Sequence, residues 1–383
     1  MLFSVQLGES QSYFLTALQG VEFTGVFGLD FLIGLVNACF ATLIIQHHLK
    51  QTKLSDLWLI AASLAGLGLW LGYGAYAISH WDTVIKSQPT SAIAFIQPNE
   101  EPSASVPPAE KGFSKSYPPE LAYTEHLKSH SPELIIIPET RYKGYFRYDH
   151  INSAFQRHVD RLNIPLIFQD NERAFIDNQP KKYNSAVLLN SEGELEATYR
   201  KTKRVPFGEY LPLFEEWEPA KKLVINLFGD FFIDFSAGNE PTIFTTGNLK
   251  ALPLICYEVM FPDFVAQNAN ATRHANIIIA ISNNGWFGET LQPYQHLNSS
   301  LLRSVETRLP MVHATNNGPS AVFLANGRRL LQTPYHQSAA FVIDIPLANQ
   351  HTPTLFTQNP YWLIYLCIGL LAVMILFRIM IKK

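Results

Sequence analysis

Apolar residues fall in two distributions along this chain. Long unbroken runs lie near both ends, and short runs separated by polar or amphipathic segments fill the middle. A helix needs about 20 mostly apolar residues to cross a hydrocarbon layer roughly 30 Å thick. Three runs meet that length: VFGLDFLIGLVNACFATLII from Val26 to Ile45, LWLIAASLAGLGLWLGYGAYAI from Leu57 to Ile78, and YWLIYLCIGLLAVMILF from Tyr361 to Phe377. Core helices could have the same composition, but three such runs in one chain predict two transmembrane helices before the middle and one after it. The first run is not read as a signal peptide, because no Lys or Arg precedes it to form a basic flank.

Basic residues set the expected orientation, since short cytoplasmic segments are enriched in Lys and Arg. Residues 1–49 contain neither. The QHHLKQTK segment from Gln46 to Lys53 and the tail with Arg378, Lys382 and Lys383 carry the basic flanks. Both are expected to be cytoplasmic, which puts the N-terminus and the middle, from about Trp81 to Pro360, on the far side. Trp58, Trp81, Tyr361 and Trp362 at the run ends suit an interfacial aromatic belt, as they would suit ordinary packing.

Within the middle, SAIAFIQ, ELIIIPET, IPLIFQD, NSAVLLN, LPLICYE, ANIIIAISNN and MVHATNNG are short runs rich in Ile, Val and Leu, bounded by polar residues. Runs of this kind predict strands covered on both faces. YPPELAYTEHLKSH, YDHINSAFQRHVDRLN and LNSSLLRSVETRL carry helical patterns between some of them. Strands alternating with helices predict an α/β domain over 90–350, flanked by a membrane region over 1–80 and a final span with a basic tail over 361–383. Glu139, Cys256 and the Asn283–Asn284 pair all stand at strand ends, where α/β folds collect their sites. The segment from Glu100 to Pro119 is rich in Pro, Ser and charge, and reads as a loop.

Composition narrows the chemistry. The formal net charge of −3 shows no basic excess, so nucleic acid is not an expected partner. Cys39 and Cys367 lie in the apolar runs, which leaves Cys256 as the single thiol of the middle and rules out a disulfide framework there. Alone, Cys256 could be a buried small hydrophobe. As a nucleophile it would work as a thiolate and want a cation or base nearby. Glu139 follows an apolar run and a proline, a place where a carboxylate is usually paired, protonated or functional. Lys201 sits in a basic cluster that by itself reads as a solvated face.

Taken in order, IIIPET around Glu139, YRKTKRVPFGEYLP with Lys201 directly after Tyr199–Arg200, and LPLICYE with Cys256 resemble the glutamate, lysine and cysteine segments of the nitrilase superfamily. VPFGEYLPL, ICYEVMFPD, ISNNGWFGETLQPYQHL and ATNNGPSAV narrow the resemblance to the apolipoprotein N-acyltransferase family, the membrane branch of that superfamily. The resemblance implies a nitrilase-like αββα sandwich. It also implies Glu139 as general base, Lys201 as the cation holding thiolate and oxyanion, and Cys256 as nucleophile, with no metal or organic cofactor. Glu209 and Glu258 match two further glutamates of the family site, the Tyr257 N–H would join Lys201 as an oxyanion donor, and Trp286 with Phe287 would line the lipid approach. Asn284 stands where the family pattern has an acidic residue, and family members usually carry more N-terminal spans than this chain.

The implied reaction passes an acyl chain from a membrane phospholipid to Cys256, and from there to the α-amine of a diacylated apolipoprotein. It would take place at a bacterial inner membrane with the catalytic domain in the periplasm. LPLFEEWEPAKKLVINLFGDFFIDF has the length and aromatic content of an apolar arm, though a buried helix would look similar. Two other readings share the same residues: a membrane-anchored amidase or hydrolase, and a catalytically idle lipid- or partner-binding paralogue. Two membrane anchors restrict pairing, so a monomer is expected.

Overall fold

The computed structural model describes residues 6–49, 54–102, 110–140, 144–212, 214, 217–228, 232–349 and 352–381. Two short helices, α1 (Leu15–Leu18) and α2 (Val21–Thr24), precede α3 (Val26–Leu49) and α4 (Leu54–Lys86). Together with α11 (Trp362–Ile381), α3 and α4 form three helices long and apolar enough to cross a membrane. Their apolar side chains are largely exposed, as expected of helices whose solvent is lipid. Of the basic flanks, Lys50, Lys53, Lys382 and Lys383 lie outside the described residues.

The second of these helices runs eight residues past the Ile78 boundary read from hydropathy. No Gly or Pro stops it before Pro89, and its polar last turns find partners on the α/β domain. Asp82 pairs with Arg328 at 2.7 Å, and the Arg308 guanidinium stands 4.9 Å from the Trp81 ring centre. Trp81 therefore faces the domain.

Strand runs with both faces buried need cover on both sides, and the chain supplies it with two stacked six-stranded sheets. The first has the order β12 (Ala339–Pro346), β1 (Thr90–Gln97), β2 (Leu134–Ile136), β3 (Leu166–Ile176), β4 (Gln179–Leu189), β5 (Leu195–Arg200). The second has the order β11 (Arg329–Gln332), β10 (Ala321–Phe323), β9 (Met311–Thr315), β8 (Ile277–Ser282), β7 (Leu249–Ile255), β6 (Phe244–Thr246). The central pairs β1–β2, β2–β3, β7–β8 and β8–β9 are parallel, and the flanking pairs are antiparallel. Phe95, Ile136, Ile167, Leu188, Ile255, Ile279 and Val312 fill the space between the sheets.

Helices α5 (Pro119–Leu127) and α6 (Asp149–Leu162) cover the outer face of the first sheet, where Leu121, Phe155 and Val159 meet Ile135, Leu166 and Val187. Helix α8 (Pro262–Ala271) covers the second sheet through Phe264, Val265 and Ala269. Helix α9 (Gln292–Thr307) presents Leu297, Leu301 and Val305 to Phe323 on one side and to Leu18 and Val21 on the other. This is the expected αββα sandwich.

The N-terminal segment before the first long helix is docked against this sandwich. Arg308 donates to Glu22 and to Gln19, and the Val26 N–H donates to Glu306 at 2.8 Å. Each of these partners lies more than 270 residues away in sequence. The short α10 (Leu355–Gln358) brings Phe356 against Phe27, ahead of the final long helix.

Candidate functional site

The site lies where β2, β5, β7 and β8 end. Glu139 follows β2, Lys201 follows β5, Cys256 follows β7, and Ser282 is the last residue of β8. Strands of both sheets end here and bring Glu139, Lys201 and Cys256 together although each lies more than 50 residues from the next in sequence.

Lys201 is 2% exposed, a rare state for a lysine unless it is paired. Its Nζ donates to Glu209 Oε1 at 2.9 Å. Burial opposes its charge, but Glu209, Cys256 and Glu139 facing it raise its pKa above the ordinary lysine value. It is a fixed cation at any physiological pH. Asn184, buried in β4, ties the carboxylates together: its Nδ2 donates to Glu139 Oε1 at 3.0 Å and Glu209 Oε1 at 3.2 Å. The Asn184 amide is itself oriented by Gln169, which donates to its Oδ1 at 2.7 Å. The other Glu209 oxygen accepts the Val205 N–H at 2.8 Å, so the FGEY turn closes on its own basic segment. Beyond Glu139, the Asp170 carboxylate accepts the Gly144 and Tyr145 N–H groups and anchors that loop.

Cys256 has φ of 50°, the left-handed region that non-glycine residues rarely occupy. Such a residue between a strand and a helical turn indicates a backbone held by its surroundings. Its surface is partly open, yet burial pushes the thiol up to about 11; Lys201 and a hydrogen bond from Ser282 pull it down, and Glu139 and Glu209 push it up. At neutral pH the thiol holds its proton. A nucleophilic attack therefore has to be accompanied by transfer of that proton to a base.

Glu258 is fully buried at the third position of the turn that starts at Cys256. Its Oε1 accepts from the Tyr199 hydroxyl at 2.8 Å, Thr202 N–H at 2.7 Å and Lys203 N–H at 3.0 Å, and its Oε2 accepts the Ile255 N–H at 2.8 Å. Burial raises its pKa, and these hydrogen bonds oppose the rise. The carboxylate joins the turn bearing Cys256 to the strand end bearing Lys201. Tyr257 follows Cys256, and burial with nearby Tyr210 pushes its phenol up to about 12. Trp286 and Phe287 are each 40% exposed on the short turn after Asn284.

Of the sequence candidates, Glu139, Lys201, Cys256 and Glu209 form one cluster, Glu258 braces it from below, and Trp286 stands at the surface. The sequence reading missed Asn184, Gln169 and His296. Asn184 opens the NSAVLLN run, and His296 lies within the quoted QPYQHL segment, but nothing local distinguished either from an ordinary strand-end or helix residue. His296 is 1% exposed and its Nε2 lies 2.9 Å from the Cys256 carbonyl oxygen. Among the described residues no group of three or more His, Cys, Asp or Glu side chains could hold a metal ion.

Helix α7 (Glu218–Phe228), in the expected apolar arm, exposes Leu223, Ile225 and Leu227, with Phe214 and Trp217 exposed just before it. It is not a buried core helix.

Several known proteins are similar to this chain. Apolipoprotein N-acyltransferase of Bdellovibrio bacteriovorus is 29% identical over 89% of this chain and 63% of its own length. The protein of that name from Chlorobaculum tepidum is 26% identical over 96% of this chain and 71% of its own length, and that from Allorhizobium ampelinum 31% over 81% and 57%. The chain thus spans a little over half to about seven-tenths of these relatives. Among solved structures, an amidase from Nesterenkonia sp. superposes with a TM-score of 0.47 at 18% identity, covering 67% of this chain and 90% of that one. Residues 115–350, more than half of the chain, match the carbon–nitrogen hydrolase family, and the chain belongs to it.

Proposed function

We propose that this protein is an N-acyltransferase that moves an acyl chain from a membrane phospholipid to the N-terminal diacylglyceryl-cysteine of apolipoproteins through a thioester on Cys256. The observation that carries this reading is the buried Lys201 ammonium set among Glu139, Glu209 and Cys256 in a domain tethered by membrane-length helices. The name shared by the relatives supports the choice of substrates.

Cys256 Sγ attacks the ester carbonyl carbon as Glu139 takes the thiol proton, a transfer that the raised thiol pKa requires. Lys201 and the Tyr257 N–H receive the charge that develops on the carbonyl oxygen. The C–O bond breaks, Glu139 returns its proton to the departing alkoxide, and a lyso-phospholipid leaves. In the second half the α-amine attacks the thioester carbonyl, the C–S bond breaks, and the amine proton passes through Glu139 back to sulfur. Glu209 holds Lys201, Glu258 holds the nucleophile turn, and Trp286 lines the approach of the acyl chains.

The catalytic domain over 90–350 faces the periplasm from a bacterial inner membrane, with 1–80 and 361–383 as its membrane parts. Three helix ends meet the domain: the start of α3 at Glu306, the end of α4 at Arg328, and the start of α11, where the Tyr361 hydroxyl just before it donates to Asp263 at 2.5 Å. The opposite ends carry the basic flanks, which favours a cytoplasmic position for them.

Incubation with labelled phospholipid should leave acyl label on the wild-type chain, sensitive to hydroxylamine and absent from Cys256→Ala. Addition of a diacylated lipopeptide should move that label to the peptide amine. Label passing only to water would replace the reading with a membrane-anchored hydrolase, and no label on Cys256 would sink it.

A further inference from the structure

A buried imidazole beside the nucleophile has no part in the reaction just described. His296 Nε2 faces the Cys256 carbonyl oxygen at 2.9 Å, and its Nδ1 faces the Asn284 side-chain amide at 3.0 Å. The same end of that amide lies 3.2 Å from Ser282 Oγ, the hydroxyl that helps pull the Cys256 thiol pKa down. Four residues therefore close a ring from the Cys256 carbonyl round to the Cys256 thiol.

Hydrogen positions in the ring follow from what each atom can do. A carbonyl oxygen only accepts, so Nε2 carries a proton. Burial depresses the His296 pKa to about 4, helped by Lys201 and only partly opposed by the bond to Cys256, so the ring is neutral and Nδ1 is an acceptor. The second histidine packed edge-on against it, His313 at 4.9 Å, is also held neutral by burial. The two orientations of an Asn amide fill the same space. With its oxygen toward Nδ1, Asn284 would set acceptor against acceptor at that contact, while taking the Ser282 hydrogen for itself. With its nitrogen there, the two N–H groups reach Nδ1 and Ser282 Oγ. Ser282 Oγ is then an acceptor from Asn284, and its own hydrogen is committed to the sulfur.

We infer that His296, Asn284 and Ser282 are positioning residues for Cys256: they hold its left-handed backbone through the carbonyl and direct a hydroxyl hydrogen bond onto the thiol. This rests on Cys256 being the nucleophile proposed above. An acidic residue at 284 would reverse the direction, since a carboxylate only accepts and would take the Ser282 hydrogen for itself.

The test is the rate of Cys256 alkylation by iodoacetamide against pH in the full chain in detergent. Mass spectrometry of the Cys256 peptide separates it from Cys39 and Cys367, and thermal unfolding is recorded for every variant. Asn284→Asp and Ser282→Ala are expected to move the alkylation midpoint upward and slow the reaction at pH 8 by about tenfold, the effect of one hydrogen bond to a charged group. His296→Leu should do the same, and His296→Gln, whose amide can donate to the Cys256 carbonyl and accept from Asn284, should recover most of the rate. Wild-type profiles in Asn284→Asp and Ser282→Ala would overturn the inference, as would equal rates in His296→Gln and His296→Leu at equal unfolding temperature. If the histidine variants do not fold, Ser282→Ala decides by itself, because it removes one oxygen from a packed site. Alkylation needs no acyl substrate. Shifted profiles in a chain that forms no thioester would therefore count against the proposed function and leave the ring standing.

Discussion

Replacing Glu258 tests whether one buried carboxylate holds the two halves of the site in register. Its four donors come from Tyr199 at the end of β5, Thr202 and Lys203 just after it, and Ile255 at the end of β7 in the other sheet. Glu258→Gln keeps the shape but turns one oxygen into an NH2 group. Whichever way that amide faces, a donor meets at least one N–H at about the distance of a hydrogen bond. Losing one buried bond to a charged acceptor and leaving its donor unsatisfied costs about 2 kcal/mol. At about 2–4 °C per kcal/mol for a domain of roughly this size, thermal unfolding should fall by about 4–8 °C. Glu258→Ala orphans all four donors. Even with relaxation of the turn the loss should reach about 5 kcal/mol, more than 10 °C. The assay is thermal unfolding of the detergent-solubilised chain, followed in parallel by Cys256 alkylation, which should slow if the turn has shifted. If both variants unfold within 2 °C of wild type and alkylate normally, the carboxylate does not brace the site and the reasoning fails.

Other substitutions separate the roles within the cluster. Asn184→Ala removes the donor shared by Glu139 and Glu209, and should slow thioester formation by about 10–100-fold, the kinetic equivalent of one or two bonds to charged acceptors; single-turnover labelling with phospholipid would read it. Lys201→Met leaves Glu209 without its cation and should destabilise by about 3–5 kcal/mol, whereas Lys201→Met combined with Glu209→Gln should recover part of that loss in unfolding scans. Glu306, fully buried beside Arg303, Glu9 and Asp263 and bonded to the Val26 N–H, is pushed up to about 7 by burial. A raised folded-state pKa means that its stabilising protonation is complete below about 4.5 and lost as pH rises through about 7. Unfolding temperatures of wild type should fall across that window relative to Glu306→Gln, which removes the titration; parallel curves would refute it.

The fold was legible where burial was uniform. SAIAFIQ, LPLICYE and ANIIIAISNN became β1, β7 and β8 because residues covered on both faces must all be apolar, and that leaves a continuous signature. β5 and β11 escaped because LEATYR and RLLQ are partly exposed and carry no such run. The last turns of α4 escaped for a related reason, since a helix that leaves lipid and lies against a domain keeps its hydrogen bonds and loses its hydropathy. Docking of residues 7–24 had no local signal at all. It depends on Arg308 and Glu306 meeting Glu22 and Val26 across nearly the whole chain.

The basic run Arg200–Lys201–Thr202–Lys203–Arg204 shows most clearly what sequence could not separate. By charge alone it is a solvated face, and its four cations look equivalent. Strand geometry divides them. The end of β5 buries Tyr199 toward Glu258 and leaves Arg200 outward on Glu172 at 2.5 Å, stacked over Tyr183. The chain then turns, so that Lys201 enters the interior toward Glu209 while the Lys203 ammonium lies over Phe261 and Phe264, and Arg204 donates to the Phe235 carbonyl. Only Lys201 loses its water, so only Lys201 needs opposing charges. The residues that provide them, Glu209 from eight positions on and Glu139 from another strand, gather around it because an uncompensated buried ammonium would cost several kcal/mol. The same desolvation that demands those carboxylates places a fixed cation and a base against the Cys256 thiol, so the electrostatic condition for folding this corner of the sandwich is also the condition for its proposed chemistry.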